Sequence, residues 1–525
     1  SGTNTYTGAT IINAGTISIN SDVRLGATPE IATVGHLTLN GGTLSASATF
    51  TLNSNRGIAL GSSHGTITVA DTRTLIYDGI IAGDYNLTKD GNGLLDLGGV
   101  NTYTGSTTIS DGELNVTGSG LLADTALTVA SGATYDSDTT DTIGSIAGAG
   151  AIEINTGTTL IIGSDNTSTT HTGVISGEGN LIKIGSGTQT LQGINTYTGN
   201  TTINDGILTV SGSGKLGNGS YAGTLVVAAS KTFNYSSSSA QTFSDWGAGT
   251  GTINLNGSGI VTLSGDQNFT GTLNVSQMLV MYNGTSGTDT GLGKATTIDI
   301  KNGGTIKVQQ GADADTSNNA FIGSQRSGGP DIYIRTGGAL TTDASNGGRA
   351  YHIGANLTLD GGTLSWGNST VRAAYGTWIL NQNVAITDDS VISAPGIVVC
   401  GFNSIECDST TVFTVNSGKT LTVSGNFFDA DNFAETAIEK AGAGTMILQA
   451  ASTITSGFTV SAGTLEITTN NALGTNATGT TIESGATLDL QNVNYSTTEA
   501  ITNNGGTIAT STGTSSFAGV ITLGA

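Results

Sequence analysis

Proline and charged side chains are scarce in this sequence. The 525 residues include 3 Pro, against 81 Gly, and charged residues make up 10 % of the chain. Disordered chains of this length are rich in charge or in proline, and collagen needs glycine at every third position together with abundant proline. No stretch approaches the ~20 consecutive apolar residues of a membrane-spanning helix. The composition therefore excludes disordered and collagen-like chains, and it predicts no membrane-spanning helix.

Basic residues are few as well. The chain has 16 Lys and Arg against 38 Asp and Glu, which gives a net charge of −22. Affinity for nucleic acid comes largely from clustered Lys and Arg on phosphates, and anionic membrane surfaces attract the same clusters. The sequence therefore predicts no nucleic-acid partner. Its acidic residues are spread thinly, as on a solvated surface.

Cysteine is limited to Cys400 and Cys407, with six residues between them. This spacing permits a local disulfide that closes a small loop, as expected in an oxidising compartment. Two reduced or buried thiols are the alternative. Neither interpretation predicts chemistry at this pair.

A long, imperfect repeat runs through the chain. The pentapeptide Asn-Thr-Tyr-Thr-Gly occurs at 4–8, 101–105 and 195–199, so that its copies begin 97 and 94 residues apart. A degenerate copy reads Asn268-Phe269-Thr270-Gly271. Each full copy is followed by a short strand, a Gly turn and a second short strand with alternating apolar residues. The residues that define the motif are Asn4, Tyr6, Gly8, Asn101, Tyr103, Gly105, Asn195, Tyr197 and Gly199.

A second shared element precedes the pentapeptide. It reads Lys-x-Gly-x-Gly, continues into apolar residues, and recurs near the end of the chain. A shorter refrain, Leu-Thr-Leu-Asn-Gly-Gly-Thr-Leu at 37–44 with later variants, fills the space between the units. The residues of the Lys-Gly-Gly element are Lys89, Gly91, Gly93, Lys183, Gly185, Gly187, Lys440, Gly442 and Gly444.

These patterns restrict the fold. A short strand with alternating apolar positions buries one face only, and Gly-Gly or Asn-Gly corners supply the positive φ of a tight turn. Units repeated every ~20–25 residues form coils whose inner faces need the coils on either side. Thr, Ile, Val, Leu and Asn at matching places then stack into ladders. The sequence predicts an all-β, right-handed parallel β-helix; the competing fold, an antiparallel sandwich or barrel array, needs paired hairpins every roughly 8–12 residues.

We expect one continuous β-helix over residues 1–525, with irregular or loop-bearing coils at roughly 271–436. A short helix is predicted near Phe433 to Lys440. Residues 517–525 resemble the segments that lead into the Lys-Gly-Gly element elsewhere. We therefore expect the chain to be a fragment of a longer protein.

The Lys-x-Gly-x-Gly-Thr unit followed by Asn-Thr-Tyr-Thr-Gly-x-Thr-x-Ile resembles the passenger-associated transport repeat of type V autotransporters. The resemblance covers 87–116 and 181–210, part of 3–19, and more weakly 437–467, while about 271–436 departs from it. It implies a protein exported through the periplasm and outer membrane to the bacterial cell surface or beyond. It also implies a C-terminal outer-membrane barrel in the parent chain, and it is silent about any ligand.

Signatures of catalysis and metal binding are missing from the sequence. His36, His64, His171 and His352 are scattered, with no spacing that suits zinc. Neither the Gly-Asp-Ser-Gly motif of protease passengers nor a Gly-x-Ser-x-Gly elbow in a strand–helix context is found. We predict no catalytic residue, no metal site and no cofactor.

Carboxylates are the remaining candidates, because many parallel β-helices are polysaccharide hydrolases or lyases with acids converging within roughly 5–10 Å. Adjacent strand residues point to opposite faces, so Asp388 and Asp389 converge only if they lie on a turn. Asp313 with Asp315 offers oxygen ligands for calcium, as does Asp429 with Asp431, although surface solvation is the preferred interpretation. The other candidate groups for an acidic active site are Asp136, Asp138 and Asp141, and Asp429 with Asp431.

Aromatic residues cluster in the irregular second half. If exposed, they would form a recognition patch; if buried, they would cover the core beneath loops, which is the favoured interpretation. The residues are Trp246, Trp366, Tyr375, Trp378, Phe402, Phe427 and Phe428.

The combined prediction is a non-enzymatic adhesin. Its elongated polar faces would mediate cell–cell or cell–surface attachment through many weak contacts, with host or neighbouring-cell molecules or with further copies as partners. A structural stalk or extracellular filament subunit is the first alternative. A carbohydrate-active β-helix enzyme is the second.

Overall fold

The fold is all-β and is seen in a computed structural model. The structure describes residues 2–122, 124–265, 267–282, 292, 294–309, 320–322, 329–342, 350–353, 356–367, 377–380, 382–399, 410–428, 437–475 and 478–524. These residues form two compact units, one of residues 1–244 with 257–259 and one of residues 245–256 with 260–525. Cys400 and Cys407 lie outside the described residues, as do Asp313, Asp315, Tyr375, Phe402, Asp429 and Asp431.

The first unit contains two short 3-10 helices, Asp22–Leu25 and Gly217–Gly219, and twenty-seven strands. The strands are β1 Thr10–Ile12, β2 Thr16–Ile19, β3 Leu37–Leu39, β4 Thr43–Ala46, β5 Phe50–Leu52, β6 Ile58–Leu60, β7 Gly65–Val69, β8 Thr74–Tyr77, β9 Ile81–Ala82, β10 Leu87–Asp90, β11 Leu94–Leu97, β12 Thr107–Ile109, β13 Glu113–Val116, β14 Leu127–Val129, β15 Thr134–Ser137, β16 Asp141–Ile143, β17 Ile146–Gly148, β18 Ala151–Ile154, β19 Thr159–Ile162, β20 Thr169–His171, β21 Ile175–Gly177, β22 Asn180–Lys183, β23 Thr188–Leu191, β24 Thr201–Ile203, β25 Ile207–Gly212, β26 Ser220–Val227 and β27 Thr232–Ser237.

Strand β28, Gln241–Trp246, contains the last residues of one unit and the first of the next. The described strands of the second unit are β29 Thr252–Leu255, β30 Val261–Leu263, β31 Thr272–Val275, β32 Met278–Tyr282, β33 Thr297–Ile300, β34 Thr305–Gln309, β35 Ala320–Ile322, β36 Asp331–Arg335, β37 Ala339–Thr342, β38 Ala350–Ile353, β39 Leu357–Asp360, β40 Thr363–Leu364, β41 Thr377–Leu380, β42 Val384–Asp388, β43 Ser390–Ile392, β44 Gly396–Val399, β45 Thr411–Val415, β46 Thr420–Val423, β47 Asn426–Phe428, β48 Ile438–Ala441, β49 Thr445–Leu448, β50 Phe458–Val460, β51 Thr464–Ile467, β52 Thr480–Glu483, β53 Thr487–Leu490, β54 Asn494–Tyr495, β55 Ile501–Asn504, β56 Thr507–Ala509, β57 Ser516–Phe517 and β58 Ile521–Leu523.

The strands pair in parallel with the strands of the next coil. In the first unit, Leu37 of β3 pairs with Ile58 of β6, 21 residues later. In the second unit, Thr445 of β49 pairs with Thr464 of β51, 19 residues later. Each coil adds up to three strands, one to each of three sheets, as β10 and β11 of one coil are followed by β12 and β13 of the next. The predicted parallel β-solenoid is confirmed, and the antiparallel alternative is wrong.

Alternating side chains form the core of each unit. Leu95, Leu114, Tyr135, Ile152 and Ile175 occupy one register column of β11, β13, β15, β18 and β21, and all are fully buried. Burying a side chain of this size stabilises the fold by roughly 1.5–3 kcal/mol. Because these five strands are only three or four residues long, most of that burial depends on the coils above and below.

The Gly-Gly corners of the short refrain meet two different requirements. Gly41 has a φ of 92°, which other residues rarely adopt. Gly42 has no such φ, but a Cβ there would lie 2.2 Å from Cγ2 of Ile12 in the preceding coil. The corner therefore needs its first glycine for backbone conformation and its second for close packing.

The predicted helix near Phe433 to Lys440 is wrong for its described part. Residues 438–441 form strand β48, and residues 433–436 lie outside the described residues. Ile438 and Lys440 point inward, and β48 pairs with β45 on one side and β50 on the other. Register with two neighbouring strands outweighs the helix propensity of the local sequence.

The described aromatic residues of the second half belong mainly to the core. Trp246, Trp378 and Phe427 are fully buried, and Trp366 and Phe428 are half-buried. Nε1 of Trp378 donates to the carbonyl of Ser365 at 2.9 Å. These side chains cover the core, as the favoured interpretation has it. No helix in the described part of the chain is long and apolar enough to cross a membrane.

Candidate functional site

The lysine of the Lys-Gly-Gly element is buried and surrounded by carbonyl oxygens. Nζ of Lys89 donates to the carbonyls of Asp90, Gly91 and Asp111, at 3.1, 2.7 and 2.9 Å. Nζ of Lys440 makes the same three bonds, to Ala441, Gly442 and Ala462. The third carbonyl belongs to the next coil, 22 residues on, so each lysine ties a corner to its neighbour. Lys183 repeats the arrangement with Ile184, Gly185 and Asp205.

Burial lowers the pKa of these lysines, because removal from water penalises their charged form. Desolvation brings the pKa of Lys89 and of Lys440 to about 8, and it lowers the pKa of Lys183 as well. Three carbonyl dipoles stabilise each charge, helped at Lys89 and Lys183 by nearby carboxylates, and the arrangement holds a corner together.

The asparagine of the pentapeptide links three successive coils. Oδ1 of Asn101 accepts from the backbone N–H of Ile81 at 3.0 Å, and Nδ2 donates to the carbonyl of Leu121 at 2.9 Å. Asn195 makes the equivalent bonds to Ile175 and Lys215, at 2.9 and 3.0 Å. The pentapeptide is not a regular strand, and its asparagine amide supplies hydrogen bonds to backbone groups of the two neighbouring coils that a strand would otherwise make.

The tyrosine and the glycine of the pentapeptide face inward. Tyr103 is 1 % exposed, and its hydroxyl shares a hydrogen bond of 2.5 Å with Thr107. The equivalent pair, Tyr197 and Thr201, is 2.7 Å apart. A Cβ on Gly105 would lie 2.2 Å from the carbonyl carbon of Tyr85 in the preceding coil. The motif therefore fixes how one coil packs on the next.

The first copy shows the motif without a coil stacked on its outer side in this chain. Tyr6 is 42 % exposed, although its hydroxyl still shares a 2.8 Å hydrogen bond with Thr10. Nδ2 of Asn4 donates to the carbonyl of Arg24 at 2.7 Å, as in the later copies. The hydrogen bonds that this copy makes within itself and to the coil that follows are thus those of the later copies.

The degenerate copy is centred one residue earlier than the sequence suggests. Oε1 of Gln267, not the amide of Asn268, accepts from a backbone N–H one coil back, that of Trp246, at 2.7 Å. Phe269 then takes the place of the tyrosine and packs edge-on against Trp246, with ring centroids 6.1 Å apart. In the last copy Ser452 plays this part, because its Oγ accepts from the N–H of Phe427 at 3.3 Å.

The motif is not tied to one side of the first unit. Lys89 lies on β10, which pairs with β7 and β12, whereas Lys183 lies on β22, which pairs with β19 and β24 in a different sheet. We propose that the motif residues have a structural role, since a recognition surface would keep its residues on one side.

A column of threonines stands on the outer side of one sheet of the first unit. Successive members are paired in register along β2, β4, β7, β10, β12 and β14, so their spacing is ~4.8 Å. The column two residues further along the strands holds Ser18, Ser45, Thr68 and Asp90. This surface, called the threonine face below, is Thr16, Thr43, Thr66, Thr88, Thr108 and Thr128.

The threonine face carries almost no charge. Asp90 is the single ionisable side chain among its two columns, and its carboxylate accepts from Thr68 at 3.3 Å. The chain as a whole has a net charge of −22. The face is therefore a flat, hydroxyl-rich surface where electrostatic repulsion of anionic cell surfaces is weak.

Among the described candidate carboxylates, Asp136 and Asp138 lie close together, since Nδ2 of Asn155 donates to both, while Asp388 and Asp389 have different partners. Asp388 pairs with Lys419 at 2.6 Å, while Asp389 accepts from the N–H of Thr420 at 2.7 Å. Asp136 lies on the outer side of β15 and accepts from Asn155, whereas Asp141 is 1 % exposed. Burial and the neighbouring Asp138 raise the pKa of Asp136 to about 6. Within the described ranges, no three His, Cys, Asp or Glu side chains could hold a metal ion.

Asp141 accepts a hydrogen bond from a backbone N–H of the preceding coil, as the asparagine of the motif does. Its Oδ2 accepts from the N–H of Leu122 at 3.1 Å and from the hydroxyl of Tyr135 at 2.8 Å. Desolvation raises the pKa of Asp141 to about 6. The carboxylate is thus held in place by structural hydrogen bonds.

We expect Asp141→Asn to remove a pH dependence of stability. The carboxyl titrates near 6 in the folded chain and near 3.8 when unfolded, so the folded chain binds the proton more tightly between these values. Stability from this group is therefore present below pH ~4 and lost as pH rises through ~6, by at most about 3 kcal/mol. Hydrogen exchange of amides near Asp141, measured below and above this window, checks the change. The exposed Asp71→Asn is the control, and an unchanged profile in Asp141→Asn would contradict the assignment.

The histidines lie apart from one another. His171 is fully buried in β20, His36 is 7 % exposed, and His64 lies at a turn with a φ of 67°. Burial lowers the pKa of His171. The side chain of His352 is outside the described part of the structure.

A groove of about 740 Å³ opens on the first unit where the third face is interrupted. Residues 102 and 104 still pair with the preceding coil, because the backbone N–H groups of Thr102 and Thr104 donate to the carbonyls of Ile81 and Gly83. In the following coil, the backbone N–H of Leu122 donates to the carboxylate of Asp141 and not to a backbone carbonyl of the ladder. Regular pairing on this face resumes at β16 and β19. The groove is the space that this break leaves.

Parallel coils joined by buried lysines, asparagine amides and close-packed glycines define a β-solenoid repeat protein. The passenger-associated transport repeat matches residues 1–19, 87–116, 181–210, 253–277 and 438–467. These repeats are similar to those of autotransporter passengers, a class exported to the bacterial cell surface through the outer membrane.

One curated relative is an adhesin. The chain is 38 % identical over 217 residues to "Adhesin BmaC autotransporter" of Brucella suis biovar 1 (strain 1330), a match that covers 39 % of this chain and 6 % of that protein. The chain thus spans a small part of this relative's length. No solved structure matches the chain.

Proposed function

We propose that this chain is a non-enzymatic, adhesive segment of a surface-exported passenger. The observation that carries the proposal is the threonine face, a row of six in-register threonines on an otherwise acidic chain. Many weak hydroxyl contacts along such a row supply avidity without a deep pocket. The match to a protein named as an adhesin supports the same function.

The partners follow from the surface chemistry. A face with one carboxylate and no cation suits neutral, hydroxyl-bearing or amide-bearing surfaces of host or neighbouring cells, or a second copy of the same face. Of the described carboxylate candidates, Asp136 and Asp138 share the amide of Asn155 and Asp388 pairs with Lys419; these contacts suit a structural role, which favours attachment over catalysis. An outer-membrane barrel in the parent chain remains a prediction from the family.

The test is attachment of cells that display this chain. We expect displaying cells to clump or to bind a host-cell layer, and Thr66→Asp/Thr128→Asp to reduce attachment at least about tenfold, because two carboxylates on the face repel anionic surfaces. The control is Thr51→Asp/Thr72→Asp, which adds equal charge at exposed sites away from the face. Equal attachment by both variants would refute the role of the threonine face. Dispersed wild-type cells that also fail to bind a host layer would refute adhesion.

A further inference from the structure

The groove of the first unit has the size and lining of a small binding site. Its volume of about 740 Å³ falls within the roughly 300–1,000 Å³ of typical ligand sites. Thr102 and Thr140 are among its lining residues and both are exposed; Oγ1 of Thr140 accepts from the N–H of Thr159 at 3.2 Å and keeps its proton for a further hydrogen bond. Val100 and Leu121, 50 % and 37 % exposed, add apolar surface.

The charges in the groove have one sign. Asp124 and Asp141 are acidic, and no Lys, Arg or His is found among the lining residues. Asp141 is already engaged by Leu122 and Tyr135. Asp124 is exposed, and within the described ranges its carboxylate makes no hydrogen bond or ion pair. The groove therefore presents one available carboxylate beside hydroxyls and an apolar patch.

We propose that this groove binds an oligosaccharide that carries free amino groups. Sugar hydroxyls can form hydrogen bonds with the threonine hydroxyls, and the apolar face of a sugar ring can pack on Val100 and Leu121. An ammonium group can donate a charge-assisted hydrogen bond to the carboxylate of Asp124. The carboxylates of uronic or sialic acids would be repelled by the aspartates of the groove, whose lining has no cation to compensate. The proposal therefore excludes these acidic sugars as ligands. The inference rests on the proposed adhesive function and names a ligand class for it.

The test compares three tetrasaccharides by calorimetric titration of the whole chain, under conditions in which sugar amines are protonated. We expect the β-1,4-linked glucosamine tetramer to bind. Its N-acetylated counterpart should bind at least about tenfold more weakly, since it lacks the charge-assisted hydrogen bond, and the galacturonic acid tetramer should not bind. Equal binding of the amino and acetylated sugars would overturn the proposal.

Two variants separate the groove from general attraction to an acidic chain. Asp124→Asn should weaken glucosamine-tetramer binding about tenfold, whereas Asp71→Asn, an equal charge change at an exposed turn, should leave it within about twofold. Thr102→Trp should abolish binding by filling the groove. Equal losses in Asp124→Asn and Asp71→Asn, or unchanged binding in Thr102→Trp, would overturn the proposal.

Failure of the groove and failure of the adhesive function give different results. If displaying cells attach but the purified chain binds no amino sugar, the groove proposal falls and adhesion through the threonine face stands. If the purified chain binds the amino sugar with the expected variant pattern but displaying cells do not attach, the groove stands and the adhesive function falls.

Discussion

Replacing Gly199 by alanine is expected to open the coil around it, whereas the same change at Gly8 leaves the chain as stable as before. Both glycines end the same pentapeptide, Asn-Thr-Tyr-Thr-Gly. A Cβ on Gly199 would lie 2.1 Å from the carbonyl oxygen of Gly179, while a Cβ on Gly8 would have nothing within 4 Å. The two sites therefore differ in the coil packed against them and not in local sequence.

The cost at Gly199 comes from packing alone. Gly199 is not among the residues with positive φ, so alanine suits its backbone conformation. The atom in the way belongs to the backbone of another coil, and a whole strand would have to move. Overpacking of this kind costs about 1–3 kcal/mol and occasionally more. In a solenoid this loss is local, because each coil contacts only its neighbours.

Hydrogen exchange resolved along the chain is the suitable measurement, because a repeat protein seldom unfolds in two states. In Gly199→Ala we expect faster exchange at residues 179–183 and 199–203, and in Gly8→Ala no change anywhere. Limited proteolysis should cleave the first variant near the same coil. If the two variants exchange alike, the glycine of the motif is needed for its own turn, and the stacking argument fails.

Much of this fold can be predicted from the sequence because its rules are local. Alternating apolar residues in β3, where Leu37 and Leu39 flank Thr38, and Gly-Gly corners such as Gly41-Gly42 mark strands and turns directly. A repeat of ~20–25 residues leaves stacking as the way to cover the inner face of each coil. Fold class therefore follows from periodicity, without any knowledge of contacts between coils.

What could not be predicted depends on register between coils. Gln267, two residues before Phe269 and four before Gly271, stands at the asparagine's position, but the sequence does not show that its longer side chain accepts from the N–H of Trp246 one coil back. The carbonyl cage of Lys89 has the same origin, since Asp111 lies 22 residues on. The motif showed that this lysine mattered, but not that it is buried.

The groove shows the same limit. It exists because the coil after Tyr103 leaves the regular ladder at Leu122 and because pairing resumes at Asp141. Nothing in the composition of 119–126 distinguishes it from the other loops. The irregular coils were expected at 271–436, yet the groove lies in the most regular family match, since 87–116 and its following coil line it.

Replacing Lys440 by methionine is expected to lower the stability of its coil by about 2–4 kcal/mol near pH 7. Methionine fills much of the same space, but it leaves the carbonyls of Ala441, Gly442 and Ala462 without their donor. Each orphaned carbonyl costs about 1–3 kcal/mol, which outweighs the gain from removing a buried charge. Lys301→Met, at an exposed turn of the same unit, is the control and should change little.

The difference between the native chain and Lys440→Met should also grow as pH rises from about 8 to about 10. The pKa of Lys440 is about 8 when folded and 10.5 when unfolded, so the unfolded chain binds more protons in this window. The native chain therefore gains stability with rising pH, by at most about 1.4 kcal/mol per pH unit, and loses this gain as pH falls through the folded pKa. Exchange rates at 438–448 across the window, corrected for the intrinsic effect of pH, measure the gain in the native chain and in Lys301→Met. A slope retained in Lys440→Met would mean that another group titrates there, and burial of Lys440 would then not be the origin of the pH dependence.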